Sequence, residues 1–304
     1  QMNDLLQNAP SVEVPKLSDR AILVDLNISQ WTARKKDKRA SDQVNSANSA
    51  VRDASAVHKN LLSGCSQLTA IKTKANEIRS KHYAMTLPWT DNGTRIVTTA
   101  GFPDYIDCMS AMQDEFDTLV DEFLRDYEDH IMVAQANLGD LFNDDEYPDS
   151  HAVRSKFDCR IKPYPITDVA DWRLDVGEDA QTYVDDAIKD YSSVYQEQVM
   201  TAMGDIHNRL HDVLSRMSER IDYAGKHDKK IFRDTLLENV FEVVELMKTC
   251  NLTNDTQMTA QAEAVEKALR GVSPDALRDS SHLRATTKRK IDDVINALPS
   301  LDMG

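Results

Sequence analysis

His207 and His211, four residues apart, come closest to a metal-binding pattern in this chain. On a helix that spacing puts both imidazoles on one face, with Asp205 and Asp212 beside them. A zinc site needs a third ligand, and the glutamate of the HExxH pattern is missing. We read the pair as exposed imidazoles and expect no metal. The loop Asn143-Asp-Asp-Glu-Tyr-Pro-Asp149 is dense in carboxylates that suit calcium. It has neither the EF-hand pattern nor its turn glycine, so a solvated helix end is the simpler reading. Cys65, Cys108, Cys159 and Cys250 form no CxxC pair and are expected as free thiols. No GxxxxGK[ST], GxGxxG or GxSxG string occurs. These residues nominate no reaction and no cofactor, and the chain reads as non-enzymatic.

The elements that would have to position any site are mostly helices. The chain has 304 residues, with 41% apolar and only 6% aromatic residues, nine Gly and nine Pro. That balance excludes a collagen, a disordered acidic tail and a disulfide-stapled module. The most apolar runs, 21–28 and 240–247, fall far short of the roughly 20 residues of a spanning helix. Gln1 to Pro10 lacks the basic start and apolar stretch of a signal peptide. The expectation is a cytoplasmic protein without a membrane role.

Residues 1–18, broken by Pro10 and Pro15, read as an arm. Residues 21–28 read as a strand. From Ser41 to His82 a three-four spacing of small and apolar residues predicts one long helix with a coiled-coil seam. The Asp91-Asn92-Gly93 turn and a short strand at 94–98 follow. A second long helix, 102–141, carries a stripe that includes Met109, Phe116, Phe123, Tyr127 and Leu141. Residues 157–166 alternate like a strand, but Pro163 and Pro165 confine it to an edge. Another short strand is expected at 171–176. Helices are expected at 178–223, 229–250, 256–270, from Ser273, and at 287–298. The fold class is mainly α: an elongated long-helix hairpin or coiled-coil bundle with a small β patch from 21–28, 94–98 and 158–166. Domains are expected at 19–176, after the arm, and at 177–304.

Charge is segregated along the chain. Lys+Arg 36 against Asp+Glu 51 gives a formal charge of -15. Residues 101–150 hold fifteen acidic residues and one arginine, whereas 16–82 hold thirteen basic and six acidic residues. One reading pairs the two long helices internally, with charges flanking the seam. The other joins the basic surface of one copy (Arg34, Lys35, Lys36, Lys38, Arg39) to the acidic surface of the next (Asp114, Glu115, Asp117, Asp121, Glu122). That contact is head-to-tail and yields a ring or a filament. Seven net positives cannot neutralise fourteen net negatives, so the two readings are compatible. Direct nucleic-acid binding is not expected, because the basic clusters are short and carry no interleaved aromatics. Three other classes remain open, of which an enzyme of unknown type would require a concave site with perturbed residues. An acidic inhibitor would mimic nucleic acid and bind a host protein. A helical pore-former would need a contiguous apolar segment, which is missing.

The order of several short strings resembles a domain family of unknown function found in tailed phages and prophages. The strings are Leu87-Pro-Trp-Thr-Asp-Asn-Gly-Thr-Arg-Ile96, then Phe116, Val120, Phe123 and Tyr127. Leu138-Gly-Asp-Leu-Phe142, Tyr147-Pro148, Lys156-Phe157, Pro165 and Asp171-Trp-Arg173 follow. The resemblance covers about residues 17–180; the family usually has phenylalanine where Trp172 stands. Members are often encoded beside a MoxR-type AAA+ ATPase and a von Willebrand factor A domain protein. The resemblance implies a partner role, not a catalytic one, in an infected bacterial host cell. On that reading Trp89, Arg95, Trp172 and Arg173 belong either to a packed junction or to a docking surface.

Overall fold

The computed structural model describes residues 17–167, 181–223 and 233–298. Nearly all of the expected arm, the strand expected at 171–176, and Trp172 and Arg173 lie outside the described residues. Among the described residues the protein is mainly α, with ten α-helices and six short strands. It divides into two compact units, and the division falls inside β1 (Ala21–Ser29), α2 (Ser66–Met85), α3 (Phe102–Arg125) and β6 (Asp158–Pro165). Each unit is therefore discontinuous in sequence.

The first unit comprises Gln1–Asp25, His82–Ile106 and Lys162–Gly304. Strands β4 (Leu87–Pro88) and β5 (Arg95–Thr98) belong to a sheet of order β4-β5-β1-β6. Its three longer strands are those expected. β5 lies antiparallel to β1, with Ala21 opposite Thr98 and Val24 opposite Arg95. Gly93, at φ +100, turns the chain between β4 and β5, a conformation that glycine adopts without a Cβ clash.

Helices α6 (Gln181–Ile221), α7 (Thr235–Thr249), α8 (Thr256–Leu269), α9 (Pro274–Asp279) and α10 (Ser281–Ala297) form the bundle of this unit. α6 packs on α7, α10 and β4, and α8 packs on α7 and α10. The core is apolar, from Val199, Ile206, Leu210 and Met217 on α6 to Val240, Met247, Met258, Val265 and Ile291 on its neighbours. Ser273 caps α9 by accepting from the Ala276 N–H, and Pro274 occupies the first turn, where no N–H is needed. Near the start of α6 Val184 is buried, but Tyr183 is 78% exposed and Val194 49%, and the continuous core on this helix begins at Tyr195.

Gln261 breaks the apolar pattern of α8. It is buried, and neither its amide oxygen nor its amide nitrogen has a hydrogen-bond partner. Unpaired buried polar atoms cost about 1–3 kcal/mol. Gln261→Met keeps the length and removes both atoms, so it is expected to stabilise the protein by about 1 kcal/mol. A higher urea midpoint at unchanged slope is the measurement; a lower midpoint would contradict it.

The second unit comprises Leu26–Lys81 and Asp107–Ile161. The single helix expected over 41–82 is in fact two helices with a strand between them: α1 (Lys38–Ala47), β3 (Val57–Asn60) and α2. β2 (Arg34–Asp37) pairs with β3. The break is chemical. Ser49 and Asp53 take positive φ, Ser55 Oγ donates to Asn45 Oδ1 at 2.7 Å, and the Ala50 N–H donates to the Asn45 carbonyl. Short polar side chains thus take over backbone and local bonding that a helix would have used. Between Ala47 and Ser66 the expected seam has no helix to sit on.

α2 runs antiparallel to α3 and α4 (Tyr127–Leu138). Lys74 meets Glu115 at 2.7 Å, and Gln67 donates to Asp126 at 2.8 Å. The second long helix expected over 102–141 is interrupted at Asp126, between α3 and α4. Its buried residues include Phe116, Val120, Phe123, Tyr127 and Ala134, while Leu141 is exposed.

Candidate interaction surface

The basic residues singled out from sequence share one small substructure. Arg34, Lys35 and Lys36 lie on β2, opposite Asn60, Lys59 and His58 of β3. Lys38 and Arg39 open α1, whose cap is Asp37, accepting from the Ala40 N–H at 2.9 Å. All five cations are exposed. Among the described residues only Lys36 of the five has a carboxylate partner, Asp53 at 3.4 Å. Lys59 holds the hairpin in place. Its side chain is only 8% exposed, lies 2.6 Å from Glu146, and donates to the Leu141 carbonyl at 2.8 Å. A buried ammonium requires such partners.

The acidic residues lie on α3. Asp114, Glu115, Asp117 and Asp121 are exposed and Glu122 is half-buried. Glu115 pairs with Lys74, and hydrogen bonds to Glu115 and Glu77 raise the Lys74 pKa. Arg154, on α5 (Ser150–Arg154), reaches Asp117 at 3.2 Å and Asp121 at 3.7 Å. Asp114 and Glu122 have no ion pair among the described residues. None of the five acids pairs with Arg34, Lys35, Lys36, Lys38 or Arg39. Lys74 and Arg154 take that role, and sequence reading missed both because it treated charge in blocks rather than by helix face.

Trp89 and Arg95 are not on a surface. Trp89 is buried edge-on against Tyr195, with ring centroids 5.6 Å apart. Arg95 is buried as well. Its Nε donates to Thr86 Oγ1 at 2.6 Å, one Nη donates to the Thr86 carbonyl at 2.9 Å, and the guanidinium lies 4.6 Å from the Tyr83 ring centre. Its partners lie at the carboxyl end of α2. Arg209 serves the same end, donating to the carbonyls of Tyr83 and Thr86 while paired with Asp205 at 2.7 Å. Cations favour that end of a helix, where the last carbonyls lack intrahelical donors. Burial, with Arg209 nearby, lowers the Arg95 pKa to about 10.

The remaining candidates carry no site chemistry. His211 is exposed and His207 half-buried, and no group of three or more His, Cys, Asp or Glu residues among the described residues could hold a metal. In the acidic loop, Asn143 accepts from the Asp145 N–H, Asp149 caps α5, and Glu146 pairs with Lys59. All four cysteines are free thiols, and burial pushes the Cys159 pKa up to about 11, which leaves it a poor nucleophile. The aromatic residues of the motif string in the second unit make structural contacts. Tyr127 OH donates to the Pro148 carbonyl, Tyr147 OH donates to the Leu61 carbonyl, and Phe142 stacks on Tyr147.

Neither family models, nor curated proteins, nor solved structures give a match to this chain. Any functional reading therefore rests on the surface just described. Among the described residues no helix is long and apolar enough to cross a membrane.

Proposed function

We infer that this chain is a non-enzymatic, phage-encoded protein that associates with copies of itself as an assembly or scaffold component. The observation that carries this reading is that opposite charges lie exposed and unpaired within one unit: the bases Arg34, Lys35, Lys38 and Arg39, and the acid Asp114. A head-to-tail contact between copies would pair them and propagate into a ring or filament. The elongated coiled-coil hairpin expected from sequence belongs to the same proposal, with α2 and α3 as its core. The resemblance to the phage family adds an AAA+ ATPase and a von Willebrand factor A domain protein as partners, in the cytoplasm of an infected bacterial cell.

Light scattering at low and high salt tests the reading. At about 0.05 M salt the wild type is expected well above its monomer mass of 34.3 kDa. At about 0.5 M salt, where exposed charges are screened beyond a few ångströms, it should return to the monomer. The triple variant Arg34→Glu, Lys35→Glu, Lys36→Glu should be monomeric at both. Mixing it with Asp114→Lys, Asp117→Lys, Asp121→Lys should restore hetero-assembly. A monomer at both salt concentrations refutes self-assembly.

A further inference from the structure

A cleft of about 320 Å3 lies in the first unit, between Arg20 ahead of β1, the β5–α3 turn and the α7–α8 connection. Its wall includes Arg20, Lys248, Thr98, Thr249, Asn254 and Thr259, and none of its lining side chains is a carboxylate. In a chain with formal charge -15 such a wall runs against the overall composition. A recess lined by one sign of charge focuses that potential on whatever enters it.

Arg20 organises the site. It donates to Asn254 Oδ1 at 2.5 Å, and among the described residues no carboxylate pairs with it. A guanidinium has five N–H donors, so one neutral amide leaves most of them, and the whole charge, uncommitted. Asn254 holds its position in the left-handed region at φ +54. The connection around it is pinned by two 2.8 Å hydrogen bonds between Asn251 and Asp255. Lys248 is a second cation, already shared with Glu266 at 2.5 Å.

The hydroxyls of the wall add a different chemistry. Thr98 donates to the Thr249 carbonyl, Thr249 to the Glu245 carbonyl at 2.9 Å, and Thr259 to the Asp255 carbonyl at 3.3 Å. With their protons committed, these oxygens offer lone pairs to a ligand's own O–H groups. The recess therefore offers charged donors to anionic oxygens and acceptors to hydroxyls. Its volume is at the lower end of the roughly 300–1,000 Å3 of small-molecule sites.

We propose that this cleft binds a phosphate group, free or carried on a small polyhydroxylated molecule. Arg20 forks onto two phosphate oxygens, as guanidinium geometry favours. Lys248 adds a point charge, and the threonine oxygens accept from ligand hydroxyls. The site is independent of self-association, since none of its residues belongs to the charged surface of the other unit.

Calorimetric titration of the full chain at constant ionic strength tests this, with inorganic phosphate and glycerol 3-phosphate as probes. Saturable binding is expected for at least one probe. Equal affinity for the two assigns the site to phosphate alone; tighter binding of the ester assigns the hydroxyl contacts as well. Arg20→Met should weaken binding about tenfold or more, and Lys248→Met less, because Glu266 already shares that charge. Asn254→Asp tolerates the same backbone, keeps an acceptor for Arg20 and places a negative charge in the wall. It should abolish binding with the melting temperature retained, which separates lost binding from lost fold. No heat of binding up to about 20 mM of either probe overturns the proposal, and so does binding that survives Asn254→Asp.

Discussion

Replacing Phe123 with alanine is expected to destabilise the unit built around α2, α3 and α4 by about 3–5 kcal/mol. The ring is fully buried. It stacks on His130 with centroids 5.5 Å apart, meets Phe157 edge-on at 5.9 Å, and lies 5.8 Å from Tyr127. Truncation removes these pairs, each worth about 0.5–1.5 kcal/mol beyond area burial, and leaves a cavity. It also removes the surface that orients His130. That imidazole bonds to Gln67 Oε1 at 2.5 Å, and Gln67 in turn bonds to Asp126, so the polar tie between α2 and the α3–α4 junction loosens too. Phe123→Leu keeps most of the volume and is expected to lose only about 1 kcal/mol. Urea unfolding, with hydrogen exchange of the α3 amides as a local readout, measures both. A loss below about 1 kcal/mol for alanine would mean that the ring is not the packing centre of its unit.

The same cluster shows what the motif string encodes. Phe116, Val120, Phe123 and Tyr127 share one helical stripe, Tyr147 and Phe157 follow further along the chain, and the contacts of all six are packing and hydrogen bonds to backbone carbonyls. They pack the helices of their unit against one another. Helix type and most helix ends were legible, because caps such as Ser273-Pro274 and the turn at Gly93 act through local geometry. The β patch was legible too, since its branched runs and flanking prolines are short-range signals.

What the sequence concealed depended on longer-range choices. The run over 41–82 shows a three-four spacing throughout, yet its first half is rich in Ser, Asn and Asp, which bond locally and stop α1 at Ala47. Periodicity alone did not weigh that competition. The first half of α6 also shows apolar spacing, but Tyr183 and Val194 face solvent because the bundle core begins at Tyr195. The charged surface was half legible: the exposure of Arg34, Lys35, Lys36, Lys38 and Arg39 follows from their charge, whereas their hairpin with Val57–Asn60 and the pairing of Glu115 with Lys74 and of Asp117 with Arg154 require the fold. Arg95 and Arg209 were the hardest to place. Nothing local to either residue says that both cap the carboxyl end of α2, since they come to it from β5 and α6.

At that same helix end, His82 should make the protein acid-sensitive. The imidazole is buried with Nδ1 2.9 Å from Tyr105 OH. Burial is the main force against its charged form, the Arg95 guanidinium adds to it, and Asp25 opposes them; the pKa falls from 6.5 to about 4. Above pH 6.5 the ring is neutral in folded and unfolded chains alike, and its contribution is fully present. Below that pH the unfolded chain takes up the proton while the folded chain does not, so stability falls as pH drops. The loss accumulates from about pH 6.5 to about pH 4 and approaches 3 kcal/mol, at about 1.4 kcal/mol for each unit of pKa difference. Burial lowers the His207 pKa too, which acts in the same direction. Carboxylates titrate in the lower part of this range, so the measurement is the difference between wild type and His82→Gln, in which their contribution cancels. The variant is expected to be less stable than wild type at pH 7.5 and to lose far less on acidification, so that the gap between the two closes toward pH 4.5. Parallel stability curves for the two proteins would show that the imidazole takes up its proton without leaving the fold.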